Sequence, residues 1–254
     1  GGGIEIDREK MIGNPWPVDH PWRRTFYYGE RPAENSNDMD RQWIDGAIEF
    51  LNSNPPEPFC LYLPLLFPHP PYWVEEPYFS MYDRDKVSTP LPVNDHKGKP
   101  KYYSEINKSY GLDKLSEEQM REIVAVYYGM ITRLDDQLGE LREALERNGV
   151  AERTATMFFS DHGDYVGDYG LTEKWPSGFE DNLTRVPMVV QAPWLDPQPM
   201  SDELVEIVDV TPTLLDLAGI ELKHDQFGKS LLPIARGEDV NLRDAVFCEG
   251  GHGD

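Results

Sequence analysis

The sequence predicts an α/β protein in which helices cover both faces of a mixed, mostly parallel β-sheet. Two observations support this fold class. Segments with apolar residues at helical spacing alternate along the chain with short runs that are apolar at nearly every position. Such continuous apolar strands are typical of sheets that are buried on both faces, because the helices that join parallel strands pack on the sheet.

Three helices are predicted from their spacing and boundary signals. The first begins after Asp38 and ends at the breaker sequence NSNPPEP, residues 52–58. The second is long, begins at a capping box formed by Ser116 and Gln119, and ends at an Asn-Gly pair. The third is short and covers residues 211–219, with a proline near its start and a glycine at its end.

The strands are predicted from four apolar runs, residues 59–67, 154–160, 186–191 and 244–249. Cys60 and Cys248 lie in the first and the last of these runs. We interpret both as buried, small apolar residues, because two cysteines make neither a disulfide framework nor a zinc ligand set.

The remaining segments lack a periodic pattern. Residues 1–37 are rich in proline, aromatic and charged residues and are predicted to be an irregular surface segment. Residues 38–254 contain the predicted helices and strands and are expected to form the domain, with a loop-like stretch at residues 73–115.

Composition limits the classes of partner. The 254 residues have a formal net charge of −22, which repels nucleic acid and anionic lipid surfaces and argues against both as partners. No run approaches the ~20 apolar residues that a membrane-spanning helix needs. An anionic small substrate is compatible with this charge only where local cations override it.

An acidic, glycine-rich stretch follows one predicted strand, in the sequence FFSDHGDYVGDYGLTEKW at residues 158–175. Ligands of α/β proteins bind at the carboxyl ends of strands, which makes Asp161 and His162 candidate metal ligands. Carboxylate oxygen suits calcium, magnesium or manganese, and imidazole suits zinc, manganese or iron. The alternative is that the acids are solvated turn residues. We interpret Asp164 and Asp168 as turn residues that support the site without binding the metal themselves.

Two further side chains are candidates for contact with a substrate. Lys174 could neutralise an anionic group or be an ordinary exposed lysine. His69 follows another predicted strand and lies among prolines that fix its backbone. It could donate a hydrogen bond to a substrate oxygen or pack within a loop.

The chain resembles the sulfatase family of the alkaline-phosphatase superfamily in six segments that occur in the order of the family. These are PFCLYLPLLFPHPPY (58–72), YYGMITRLDDQLGELREAL (127–145), TATMFFSDHGDYVGDYGLTEKW (154–175), TRVPMVVQAP (184–193), DVTPTLLDLAGI (209–220) and GKSLLPIARGE (228–238). They cover most of the chain from about residue 38 onward.

The resemblance implies a hydrolase that cleaves a small sulfate ester, aryl or carbohydrate, at a divalent metal. Calcium is the expected metal, with manganese, magnesium and zinc as alternatives. By resemblance, Asp161 is a metal ligand and His162 is the second contributor to the same site. His69 and Lys174 are expected to contact the sulfate or the leaving oxygen, as catalytic residues.

The sequence also departs from the family pattern. The Cys/Ser-x-Pro-x-Arg motif, whose cysteine becomes formylglycine, and the Asp-Asp metal pair are not found in these 254 residues. We therefore expect a partial catalytic domain, incomplete at its N-terminus and inactive alone, with formylglycine outside this segment. A phosphodiesterase or phosphonate monoester hydrolase of the same superfamily is an alternative, and so is a non-catalytic relative that kept the fold.

Overall fold

A computed structural model describes residues 13–92, 98–175 and 178–249. The chain divides into two compact units. Among the described residues, the first contains 13–92, 98–141 and 164–173, and the second contains 142–163, 174–175 and 178–249. In the described part of the chain, no helix has the length and apolar character needed to span a membrane.

The sheet of the first unit consists of two parallel strands, β1 (Tyr27–Glu30) and β2 (Tyr72–Val74). Tyr27 lies opposite Tyr72, and all three residues of β2 are buried. The prediction of irregular structure over residues 1–37 is wrong for β1. Four residues are too few to show a period, and the partner strand that stabilises them lies more than forty residues away along the chain.

Three helices begin in the first unit: α1 (Met39–Asn52), α2 (Tyr102–Ser109) and α3 (Glu117–Arg147). Asp38 caps α1 by accepting a hydrogen bond of 2.9 Å from the backbone N–H of Arg41. The capping box before α3 is confirmed in both directions, since Gln119 N–H donates to the Ser116 hydroxyl and Ser116 N–H donates to the Gln119 side chain.

Helix α2 lies inside the stretch that was predicted to be a loop. Its buried side chains are Tyr103 and Asn107, and the Asn107 amide donates a hydrogen bond of 2.7 Å to the carbonyl of Gly170. Because α2 has eight residues and two buried positions, its sequence has no clear helical period. The prediction failed there for that reason.

The apolar run at residues 59–67 is not a strand, contrary to the prediction. The backbone N–H groups of Leu66 and Phe67 donate to the carboxylate of Asp40 on α1, each at 2.8 Å, and Pro64 has no N–H to offer. Cys60 in the same run is exposed rather than buried.

The second unit contains an antiparallel pair, β3 (Thr156–Phe159) and β4 (Met188–Gln191), in which Phe158 lies opposite Val189. It also contains helices α4 (Asp181–Thr184), α5 (Val210–Leu217) and α6 (Leu232–Ala235). The predicted strands at 154–160 and 186–191 and the predicted short helix at 211–219 are therefore confirmed.

The predicted strand at residues 244–249 does not form. The backbone N–H of Phe247 donates to the side chain of Glu206, at 2.9 Å, rather than to another strand, and the Phe247 side chain is 84% exposed. Cys248 is exposed as well, so the interpretation of both cysteines as buried residues is wrong.

The α/β class is confirmed, but the sheets are smaller than predicted. Within the described residues, each unit has one two-stranded sheet, parallel in the first and antiparallel in the second. Val189 on β4 is 54% exposed, which means that this sheet is not covered on both faces. The continuous apolar pattern of its strands predicts burial on both faces, and the described residues do not bury both faces of this sheet.

Candidate functional site

The loop that follows β3 holds Asp161 and His162 side by side in the second unit. The Asp161 carboxylate accepts a hydrogen bond of 3.0 Å from the backbone N–H of His162. It also lies 3.7 Å from the Nε2 atom of the His162 ring. The Asp161 side chain is 85% exposed and that of His162 is 33% exposed. The two groups are therefore accessible to a ligand.

The ring of His162 has a defined tautomer. Its Nδ1 atom lies 2.7 Å from the carbonyl oxygen of Gly163, and a carbonyl oxygen can only accept. Nδ1 therefore carries the proton, which makes Nε2 the atom that can bind a metal. In histidines that ligate metals, the ring nitrogen that does not bind the metal typically donates a hydrogen bond, often to a backbone carbonyl.

Gly163 holds this loop against α4. Its N–H donates a hydrogen bond of 2.9 Å to the carbonyl of Leu183, and a Cβ atom at position 163 would lie 1.8 Å from the carbonyl oxygen of Asn182. No side chain fits in that space. The close approach fixes the backbone that carries Asp161 and His162.

A divalent cation fits this pair as two of its ligands. The donors are a carboxylate oxygen and an imidazole Nε2 atom, a combination found at many divalent sites. Among the residues that the structure describes, no cluster of three or more His, Cys, Asp or Glu side chains is arranged to hold a metal ion. A complete coordination sphere would therefore need further donors.

Lys174 lies in the same unit as Asp161 and His162 and is partly exposed. It comes directly after the segment 164–173, which folds with the first unit. The structure thus places the side chains of Asp161 and His162 next to each other, with Lys174 in the unit that contains them.

His69 lies in the first unit, where its ring is held from two sides. Its Nδ1 atom is 2.6 Å from the carbonyl oxygen of Pro70, and its Nε2 atom is 3.8 Å from the carboxylate of Glu173. The side chains of His69 and Glu173 are 23% and 13% exposed. Glu173 could not be identified from the sequence, because its contact with His69 joins segments about one hundred residues apart.

A buried tyrosine connects this region to Asp164. The Tyr72 hydroxyl donates a hydrogen bond of 2.6 Å to Asp164 and accepts one of 2.8 Å from the backbone N–H of Glu173. Burial raises the pKa of Asp164 to about 6, against the lowering effect of hydrogen bonds from Tyr72 and Val166. Burial, together with the negative charge of Asp164, raises the pKa of Tyr72 well above its ordinary value.

The interpretation as a turn residue agrees with a contact of Asp164, whereas the contact of Asp168 joins it to a distant segment. Asp164 accepts from the N–H of Val166 two residues on, and Asp168 accepts from the N–H of Leu91, each at 2.8 Å. Tyr72 was not identified as a functional residue, although it ends the sequence motif that contains His69. The motif is the sequence feature that could have identified Tyr72. Its contact with Asp164 could not be predicted, because the two residues are far apart in the sequence.

The fold of this chain is that of the alkaline-phosphatase-like hydrolases. A phosphonate monoester hydrolase from Silicibacter pomeroyi superimposes with a TM-score of 0.74 at 22% identity, over 92% of this chain and 50% of that one. This likeness defines the fold.

The family follows from the sequence. The sulfatase family model matches residues 8–220, and the chain belongs to that family, as predicted. A choline-sulfatase from Rhizobium meliloti (strain 1021) is 32% identical, over 95% of this chain and 52% of the relative. Arylsulfatase K from Rattus norvegicus is 30% identical, over 80% of this chain and 38% of the relative.

The relatives that match most of this chain at 30% identity or more are named as sulfatases. The chain spans about half the length of the choline-sulfatase and less of arylsulfatase K, so part of each relative has no counterpart in these 254 residues.

Proposed function

We propose that the complete protein hydrolyses sulfate esters and that Asp161, His162, His69 and Lys174 belong to its active site. Family membership across residues 8–220 supports the reaction class. The observation that carries the assignment of a site is the adjacent carboxylate and imidazole after β3, with the His162 ring oriented by the carbonyl of Gly163.

Asp161 and His162 would hold the divalent metal, for which calcium is the proposed identity and manganese, magnesium and zinc are alternatives. When bound, the metal supplies positive charge that neutralises the sulfate oxygens. The backbone contact at Gly163 supports this role, because it keeps the two donor groups in place before the metal arrives.

His69 and Lys174 would act on the ester itself. Lys174 contributes positive charge next to an anionic group, and His69 holds a proton for the oxygen that leaves. These cations explain how a chain of net charge −22 accepts an anionic substrate. The nucleophile, formylglycine in this proposal, lies outside these residues, and we therefore propose that this chain is inactive alone.

We propose sulfate esters rather than phosphonate esters as the substrate class. The relatives at 30% identity or more are named as sulfatases, whereas the phosphonate monoester hydrolase is 22% identical and supports the fold alone. An aryl or carbohydrate sulfate is the proposed substrate, and the choline-sulfatase relative adds a small alkyl sulfate to the candidates.

The proposal is tested by turnover of the complete protein on 4-nitrophenyl sulfate, with phenyl phosphonate and phenyl phosphate esters for comparison. We expect sulfate turnover that is lost on treatment with a chelator and restored by divalent metal. Asp161→Ala should lower kcat/KM by about 100-fold or more, as expected when a ligand of a charge-stabilising metal is lost.

The matched control is Asp202→Asn, an exposed acid in the same unit, which should leave turnover unchanged. Faster turnover of the phosphonate than of the sulfate would favour the alternative hydrolase. Absence of stoichiometric metal binding would favour the non-catalytic relative, and substantial sulfate turnover by this chain alone would contradict the proposed location of the nucleophile.

A further inference from the structure

The ring of His69 has a defined proton distribution. Nδ1 lies 2.6 Å from the carbonyl oxygen of Pro70, which can only accept, so Nδ1 carries a proton. The neutral ring in this tautomer has no proton on Nε2. His69 can therefore donate a proton from Nε2 only when both ring nitrogens are protonated.

Glu173 lies opposite the Nε2 atom of His69, with 3.8 Å between Nε2 and the carboxylate oxygen. Both side chains are mostly buried, so their attraction is screened less than it would be in bulk water. A carboxylate in this position favours the doubly protonated ring. It also favours the ring orientation that directs Nε2 away from Pro70.

Other charged groups contact the segment that carries His69, residues 66–72. They are Asp40 at the backbone of 66 and 67, Arg31 and Arg133 over the ring of Phe67, and Asp164 at the hydroxyl of Tyr72. The two arginines form ion pairs with Glu75 and Asp38. Their charges are therefore largely balanced by acids other than Glu173.

The backbone of Glu173 is in a conformation that favours glycine. Its φ is 67°, in the left-handed region that residues with a Cβ rarely adopt. Two hydrogen bonds hold it there, because its N–H donates to the Tyr72 hydroxyl at 2.8 Å and its carbonyl accepts from Tyr165 N–H at 3.2 Å. The left-handed backbone of Glu173 is thus held by these two bonds in the position that places its side chain beside His69.

We propose that Glu173 is a positioning residue for His69, which holds the ring with a protonated Nε2 ready to serve the leaving oxygen. The catalytic consequence rests on the proposed function. As the nucleophile of the complete protein bonds to sulfur, the bond between sulfur and the leaving oxygen breaks, and its electron pair stays on that oxygen, which takes the proton from Nε2. His69 is then neutral, and its remaining proton is already bonded to Pro70, so the ring does not need to turn over.

The first experiment measures the ring of His69 in the complete protein labelled with nitrogen-15 in histidine, with the His69→Gln variant assigning its signals. Near neutral pH, we expect the wild type to show a larger doubly protonated fraction at His69 than Glu173→Gln, and Glu173→Asp to restore part of it. An unchanged His69 signal in Glu173→Gln would overturn the proposal, whether or not the protein is a sulfatase.

Glu173→Gly keeps the test decisive if Glu173→Gln folds poorly. Glycine adopts the left-handed backbone without strain, so this variant should melt no lower than the wild type. Its doubly protonated fraction at His69 should nevertheless be smaller than in the wild type. A Glu173→Gly variant that keeps the wild-type His69 signal would overturn the proposal. Glu118→Gln, at an exposed acid at the start of α3, is the matched control and should change neither property.

The second experiment compares esters with good and poor leaving groups. Because a positioned acid matters most for a poor leaving group, Glu173→Gln should lower kcat for an alkyl sulfate by about 10-fold, a part of the total effect of general acid catalysis. It should change kcat for 4-nitrophenyl sulfate and KM for both esters by less than about twofold. Equal losses of kcat for both esters would contradict the proposed role. A wild-type protein without sulfate turnover would refute the proposed function and leave the ring measurement to decide on Glu173.

Discussion

The carboxylate of Asp40 on α1 accepts a hydrogen bond of 2.8 Å from the backbone N–H of Leu66, twenty-six residues further along the chain. A second bond of the same length comes from the N–H of Phe67. Burial raises the pKa of Asp40 above its ordinary value, although these two bonds act in the opposite direction. Asp40 thus determines the path of the chain just before His69, where a strand was predicted.

Replacing Asp40 should cost more stability than its position on a helix suggests. Asp40→Ala removes the acceptor of two backbone N–H groups, and we expect a loss of about 2 to 4 kcal/mol in the free energy of unfolding, measured in urea. Asp40→Asn keeps one acceptor oxygen and should lose less. The control is Asp45→Ala on the same helix, where an exposed ion pair with Arg41 should contribute less than about 1 kcal/mol. Equal effects of the two alanine variants would contradict the anchoring role of Asp40.

The contrast between local and distant signals explains which parts of the fold could be predicted. The capping box of Ser116 and Gln119 acts within three residues, and the sequence alone was sufficient to identify it. The run at residues 59–67 is as apolar as a strand, but its backbone is satisfied by Asp40 on another element. No periodicity within the run contains that information.

The same division applies to the candidate site. Asp161 and His162 are neighbours in sequence, so a motif could identify them together, and the structure confirms that their side chains lie close to each other. Glu173 and Tyr72 could not be assigned, because their roles depend on contacts that join distant segments. The roles of the predicted site residues in catalysis stay predictions until the variants above are measured.

The ion pair of Asp209 and Arg243 should make the stability of the second unit depend on pH. Burial alone would raise the pKa of Asp209, but hydrogen bonds from Arg243 and from two backbone N–H groups hold it below its ordinary value of 3.8. A carboxyl group with a lowered folded pKa contributes stability that is present above 3.8 and is lost as the pH falls through the folded pKa.

Arg243→Met tests this pair. Asp209 is fully buried, and removing its partner should cost about 3 to 5 kcal/mol at pH 7, as for other buried ion pairs that lose one member. The difference in unfolding free energy between wild type and variant should shrink as the pH falls through the lowered pKa that Asp209 has in the wild type. A difference that stays constant from pH 7 to pH 3 would refute the acid dependence.

Gly163 should tolerate no side chain. An alanine Cβ would lie 1.8 Å from the carbonyl oxygen of Asn182, so Gly163→Ala must displace either the loop that carries Asp161 and His162 or the start of α4. We expect a loss of about 2 kcal/mol or more, in the range of overpacking in a tight site, and weaker binding of divalent metal by the complete protein. Gly139→Ala is the control: nothing lies within 4 Å of its Cβ in α3, and it should gain about 0.5 to 1 kcal/mol. A Gly163→Ala variant as stable as the wild type would show that the close approach is not required.

The reactivity of the two cysteines tests the corrected placement of residues 60 and 248. Both thiols are exposed, although their apolar neighbours led to the prediction that they are buried. We expect the native chain to react with two equivalents of a thiol reagent such as dithionitrobenzoate, and the same number after unfolding in urea. Cys60→Ser and Cys248→Ser should each remove one equivalent. If either thiol reacted only after unfolding, the run that contains it would be packed as the sequence first indicated. An apolar run is a measure of what a segment can bury, whereas exposure depends on whether another segment covers it.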